Sequence, residues 1–272
     1  MNRLEANETN NYMKFKIIFA FFLFLTTLHY ALAQNTRINE NNNIGWYNFN
    51  ATIKLDSKFA INSEYQWRRI NYITDWQQSL IRFGANYQLN AQVQARAGYA
   101  CIETFSYGTT PINSFGKDFT EHRTFEMITL NNKVSIADFS HRFILEQRWI
   151  GRFSNANVSQ EDQYVFSNRF RYMFRMQLPL KGNSIIERTP YIAMFDELFI
   201  GFGENVNENI FDQNRFGLLL GYKFNNNIRL EAGYLNQTLQ LGRETNQRNV
   251  FQNNSGFLIS TILNFDLKNN IN

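Results

Sequence analysis

Arginine and glutamate recur at every second position along several stretches of this chain. In Ser140–Trp149, SHRFILEQRW, Arg142, Glu146 and Arg148 share one parity, and Phe143, Leu145 and Trp149 take the other; Ile144 and Gln147 break the pattern. The same polar parity elsewhere collects Arg68, Arg82, Arg96, Arg169, Arg171, Arg175, Arg215, Lys223 and Arg229, opposed by Glu64 and Glu231. Glu121, Glu126 and Glu197 join them if the register allows. A guanidinium is a planar fork that binds carboxylates bidentately. Such a set either pairs with its own glutamates or holds an acidic solute. Asp196-Glu197 interrupts the apolar run Tyr191–Ile200, where carboxylates are expected as partners of the arginines rather than as a separate binding site.

Other chemistry finds less support. Nucleophilic catalysis needs a nucleophile, a base and an orienting group within hydrogen-bond reach. Beyond the first 33 residues the histidines are His122 and His141. His141 follows Ser140, but neighbours on a strand point to opposite faces. His122 and Glu126 share a parity, yet four strand residues separate them by roughly 13 Å. An acyl hydrolase acting on lipid is therefore disfavoured and no catalytic residue is assigned. Neither a Cys/His cluster, a glycine-rich phosphate loop nor an acidic calcium loop occurs, so no metal or cofactor is expected. With 27 basic and 23 acidic residues, nothing marks a nucleic-acid binder.

The elements that position these side chains must be strands, because period two sorts the charges and a helical period smears them. Phe59–Arg68, Ser79–Leu89, Val93–Tyr99, Tyr164–Leu178, Phe216–Phe224, Ile228–Tyr234 and Phe257–Leu267 all alternate. About eleven strand-like runs begin near 44, 59, 78, 92, 121, 140, 163, 190, 212, 228 and 255. Short polar turns (Asp56-Ser57-Lys58, Asn90-Ala91, Asn225-Asn226-Asn227) alternate with longer connections at Ser106–Thr120, Arg152–Asp162 and Gly242–Asn253. That is the rhythm of a membrane barrel with tight inner turns and longer outer loops. Since such barrels normally have an even count, a twelfth strand is expected within Asn35–Asn43, with ten as the alternative. Val134–Phe139 is ambiguous. Trp46, Trp67, Trp76 and Trp149 lie near strand ends, as interfacial girdles require. Loop residues such as Tyr107, Asn113, Lys117 and Asp118 could contact an outside ligand, although polarity is the default for any loop.

Composition agrees with a wall that is apolar on one side and wet on the other. The chain is 16% aromatic with 27 phenylalanines and 3 prolines, yet its mean hydropathy is −0.41. The single cysteine, Cys101, falls on the apolar side and is expected to be buried and inert. From Met13, two lysines, the apolar run Ile17–Leu28 and Ala31-Leu32-Ala33 before Gln34 read as a cleaved secretory signal. The expected organisation is an upstream extension at 1–12, a signal peptide at 13–33, a polar segment at 34–43, a barrel at 44–267 and a polar tail at 268–272. No later apolar run reaches the roughly 18–20 residues of a spanning helix. A lipocalin-like soluble barrel would turn the apolar face inward; long strands, aromatic apolar faces and many hairpins favour the membrane.

The spaced elements QQSLIRFG (77–84), EHRTFE (121–126), SHRFILEQR (140–148), RFRY (169–172) followed by PL (179–180), DELFI (196–200), NRFGLLLGYK (214–223) and LEAGYLNQ (230–237) resemble an uncharacterised family. Its members are exported proteins of Gram-negative bacteria, catalogued as a domain of unknown function and regarded as outer-membrane barrels. The resemblance spans nearly the whole chain after residue 33 and implies fold and location, with no activity to carry over. The last strand, ending Phe265-Asp266-Leu267, resembles the signals by which the barrel-insertion machinery recognises its clients. The expectation is an all-β antiparallel transmembrane barrel of about twelve strands in the outer-membrane lipid. Its arginine-rich lumen would serve either as a narrow anion-leaning channel for small solutes or as the filling of a closed structural barrel.

Overall fold

The computed structural model describes residues 37–206 and 209–267. The regular structure among them is eleven strands: β1 (Ile38–Lys54), β2 (Phe59–Ile70), β3 (Asp75–Gln88), β4 (Val93–Thr104), β5 (Phe119–Val134), β6 (Ala137–Arg152), β7 (Gln163–Pro179), β8 (Thr189–Phe202), β9 (Phe211–Lys223), β10 (Ile228–Thr245) and β11 (Arg248–Asp266). Each pairs with its chain neighbours, and β1 pairs with β11 to close the ring. The upstream extension, signal peptide and polar tail lie outside the described residues.

The expected twelve strands are eleven. Residues 38–43, read as part of a polar segment holding a further strand, are the beginning of β1. An even count is required only where every neighbouring pair is antiparallel. Hairpins reverse direction at each turn, so eleven strands bring β1 and β11 together pointing the same way. A parallel ladder therefore makes the seam, from Ile38↔Val250 to Lys54↔Asp266. The backbones approach closely there: a Cβ on Gly256 would lie 1.8 Å from the Ile44 carbonyl oxygen. Stepping across paired residues from Lys54 through Asn86, Ile144, Phe199 and Gln252 returns to β1 at Glu40. That stagger, position 54 to position 40, gives the strands the tilt a closed barrel demands, roughly 35–45°.

Turn chemistry explains the short connections. Asp56, Asn90 and Asn225 each accept backbone N–H groups two and three residues ahead through Oδ1, at 2.7–3.0 Å. The ambiguous stretch Val134–Phe139 contains the β5–β6 turn at Ser135-Ile136. Gly242–Asn253, expected as a long loop, is instead strand on both sides of a two-residue turn. Asn246 and Gln247 both have positive φ, 52° and 58°, as a type I′ hairpin requires. The longer connections at 105–118 and 153–162 share one mouth of the barrel with the start of β1. The 71–74 and 246–247 turns lie there too, and the opposite mouth carries the turns at 55–58, 89–92, 135–136 and 224–227 and one longer segment, 180–188.

The two faces are now assigned. Phe49, Ile61, Tyr65, Ile81, Phe83, Tyr99, Leu145, Phe170, Leu218, Leu220 and Tyr234 are exposed on the outside, whereas the buried set is rich in arginine, glutamate and glutamine. This is the reverse of a lipocalin-like barrel. Cys101 is half-exposed on this outer face rather than buried, beside Ile81 in the ladder. Trp67, Trp76 and Trp149 also face outward, at the ends of their strands nearest the longer loops. Trp46 does not: it points inward and is buried.

Candidate functional site

Alternation brings the predicted polar face into the barrel interior, where five consecutive strands supply one connected ion-pair layer. Glu121 on β5 accepts Arg148 on β6 at 2.5 and 3.0 Å and also Arg123 on its own strand. Arg148 reaches Asp212 on β9 at 3.6 Å, and Asp212 meets Arg169 on β7 at 2.6 Å. Arg169 donates to Glu146 on β6 at 2.8 Å. Arg171 bridges Glu146 at 2.6 Å and Glu197 on β8 at 2.7 Å. Glu197 also holds Arg142 at 2.8 Å and Arg215 at 3.9 Å. Arg169 and Glu146 are each only 2% exposed. Two smaller pairs lie apart from this layer, Arg82–Glu64 at 3.1 Å and Arg175–Glu231.

Two aromatic rings complete the layer. Phe199 of β8 is fully buried, with the guanidiniums of Arg169, Arg171 and Arg215 at 5.1, 4.4 and 4.5 Å from its centre. Trp46 of β1 lies under Arg68 at 3.9 Å and Arg215 at 4.9 Å. Its indole N–H donates to Gln77 Oε1 at 2.7 Å. A ring face attracts a cation most strongly where water is excluded. Of the arginines at these rings, the two over Trp46 are the poorest in carboxylates: among the described residues Arg215 has Glu197 alone, at 3.9 Å. Arg68 makes no ion pair among the described residues and is held by the amide oxygens of Gln66 and Gln78.

Apolar side chains fill much of what remains. Trp46, Tyr191, Phe195, Leu219, Leu235 and Leu258 form one buried cluster, and Phe125, Met127 and Ile144 another. Glycine makes room for the aromatics: a Cβ on Gly217 would come within 2.2 Å of Phe195, and one on Gly221 within 2.3 Å of Tyr191. Tyr191 donates to Glu231 at 2.8 Å. The space left is divided. Above the layer a vestibule of about 130 Å³ is lined, among the described residues, by Arg68, Arg123, Arg148, Arg152, Arg169 and Arg215 against two carboxylates, Glu121 and Asp212. Below it a cavity of about 320 Å³ is lined by Arg82, Arg142, Arg171, Arg175 and Arg215 against Glu64, Glu197 and Glu231.

The loop residues singled out for contact with an outside ligand lie in the long-loop mouth, Tyr107 and Asn113 buried there. Tyr107 is buried within the barrel, where its hydroxyl meets the side-chain amides of Gln77 and Asn254 at 3.4 and 3.3 Å. Burial, partly offset by these hydrogen bonds, pushes its phenol above the ordinary range. Glu40 accepts Thr109 Oγ1 at 2.6 Å and also Thr110, while Arg243 donates to the Pro111 carbonyl at 2.7 Å. Lys117 donates to the Ala156 carbonyl at 2.7 Å, so the 105–118 and 153–162 loops brace each other. Asn113 and Asp118 bond within their own loop.

Of the residues singled out from sequence, the structure gathers Arg142, Glu146, Arg148, Arg169, Arg171 and Arg215 into the layer and places Arg68 and Arg82 at its margin. Arg96, bound to Asn62 and Asn86 at 2.6 and 2.5 Å, and Arg175, Arg229 and Glu231 lie nearer the short-turn mouth. Glu126 and Asp196 face outward instead, receiving hydrogen bonds from Gln147 and Asn214 at 3.0 Å each. Arg123, Asp212 and Phe199 were missed. Arg123 was legible, since it shares its parity with Glu121; Asp212 sits at the start of a strand, and β8 is apolar on both faces. His122 and His141 point outward and bond to the hydroxyls of Tyr99 and Tyr172 at 2.5 and 2.9 Å. Among the described residues no group of three or more His, Cys, Asp or Glu could hold a metal.

Comparison with known proteins gives a family and no activity. The model of the family described as "Protein of unknown function (DUF2490)" matches residues 43–249, and the chain belongs to that family. Among solved structures, the NanC porin in a rhombohedral crystal form is similar at 12% identity and a TM-score of 0.42, with 77% of this chain and 93% of that one covered. No curated protein matches the chain.

Proposed function

We propose that the protein is an outer-membrane β-barrel whose arginine-rich lumen is a gated pathway for small anions, held shut by the ion-pair layer. The exposed aromatic and aliphatic exterior suits lipid, and the signal-like segment at 13–33 suits export. The longer loops would then face the cell exterior, and assembly would depend on the barrel-insertion machinery. The observation that carries the reading is the imbalance of buried charge. Among the described residues, six arginines line the upper vestibule against two carboxylates, and rings of arginine favour anions. We propose no catalytic role.

A second reading, a closed structural barrel, is supported by the filling itself. Arg169, Arg171 and Phe199 are almost completely buried, and the 105–118 loop is seated in the mouth. Planar-bilayer recording under a salt gradient separates the two. The pathway reading expects brief, anion-selective openings, made frequent by Phe199→Ala, which removes the ring around which three guanidiniums gather. If parent and variant both stay silent while heat-modifiable gel mobility reports folded barrels, the pathway is wrong and the closed barrel stands.

A further inference from the structure

We infer that the vestibule above the ion-pair layer is a binding site for a small oxyanion carrying two or more negative charges, the phosphate or polycarboxylate class. The inference rests on the anion-pathway reading and gives it a ligand. Three arginines define the site by what they lack. Arg68 is 3% exposed and meets only neutral amides and the Trp46 ring. Arg152, on the wall beside Arg148, makes no ion pair among the described residues. Arg215 has a single carboxylate among the described residues, Glu197, at 3.9 Å. Glu121 and Asp212, the only acids among the described residues that line the vestibule, are already committed to Arg123, Arg148 and Arg169.

Water can satisfy the N–H groups of these arginines but cannot neutralise them. Guanidiniums clustered in a recess attract the ligand that supplies both acceptors and charge, and their forks match the oxygens of phosphate and carboxylate. A singly charged halide offers one point of contact and would leave most of the excess in place. The volume, about 130 Å³, is several times what a single water needs and has room for one compact oxyanion. Gln77, Gln213 and Gln237 also line it, their amide nitrogens donating to Tyr107, Asp212 and Gln213.

Calorimetric titration of the detergent-solubilised full chain with inorganic phosphate, with citrate and with chloride at matched ionic strength tests the site. Saturable binding of phosphate or citrate but not chloride is expected. Affinity should fall at least tenfold in Arg68→Gln and in Arg152→Gln. Lys133→Gln, which removes one positive charge at the opposite mouth, should bind like the parent and so separates local from net charge. Heat-modifiable mobility certifies that each variant is folded. Absence of saturable binding to the folded parent, or parental affinity in both arginine variants, overturns the site. Bilayer recordings are read independently: binding without openings removes the pathway and keeps the site, while anion-selective openings without saturable binding do the reverse.

Discussion

Glu146→Gln should be the most damaging isosteric change in the barrel wall. The carboxylate is shared by Arg169, at 2.8 Å from Nε and 2.6 Å from Nη2, and Arg171, at 2.6 Å, with Arg123 further off at 3.9 Å. A charge pair at about 4 Å between centres interacts by about 4 kcal/mol at an effective dielectric of about 20, so two close pairs give a gross term of about 8 kcal/mol. Glutamine keeps one acceptor oxygen, and each arginine keeps another acid, Asp212 at 2.6 Å and Glu197 at 2.7 Å. The net loss should therefore fall near the 3–5 kcal/mol typical of breaking a buried pair from one side. Urea unfolding of the purified protein in detergent micelles, followed by loss of the heat-modifiable gel band, would measure it. A variant within about 1 kcal/mol of the parent would refute the claim that the layer's charges are desolvated and mutually dependent, and would mean that water reaches Glu146.

Three further changes probe other parts of the barrel. Gly221→Val places side-chain atoms where Tyr191 already lies, 2.3 Å from the new Cβ, and should cost about 1–3 kcal/mol of overpacking in the same unfolding assay. Cys101, on the apolar exterior, should react in proteoliposomes with a lipid-soluble maleimide and resist a charged thiosulfonate; equal labelling by both would contradict its outward placement. Glu40→Gln weakens the anchor of Thr109 and Thr110, so the 105–118 loop should be cleaved several-fold faster by added protease in intact barrels, with stability otherwise little changed.

Much of the wall was legible because its two faces differ so sharply. Strand onsets near 59, 92, 163 and 228 fall within one residue of β2, β4, β7 and β10, since alternation and Asn or Asp turns both mark them. The failures have physical reasons. Gly242–Asn253 is polar enough to read as a loop, but its amides and hydroxyls serve the ladder end of a long hairpin that rises above the apolar band. Ile38–Asn43 carries no apolar alternation because it pairs at the same level with that hairpin. Trp46 was read as an interfacial residue from its place near a strand end; its parity with Ile44 and Asn48 turns it inward. In β8, where both faces are apolar, nothing local distinguishes Phe199 from Ile200, and only the ring of guanidiniums around Phe199 reveals its role.

The odd strand count and the filled lumen are connected through the position of β1. Because β1 runs parallel to β11, its polar first residues stand at the long-loop mouth, where Glu40 meets the loop that covers the vestibule. A strand entering from the other mouth would bring Lys54, not Glu40, to that level. The sole inward carboxylate of β1 is thereby used to hold a loop, not to neutralise an arginine, and β1 and β11 contribute neutral amides and Trp46 to the mid-lumen. The acids of the layer all come from β5, β6, β8 and β9, which leaves Arg68 of β2 facing a ring and two amides across the seam side. The uncompensated charge of Arg68 is thus a consequence of where the barrel closes.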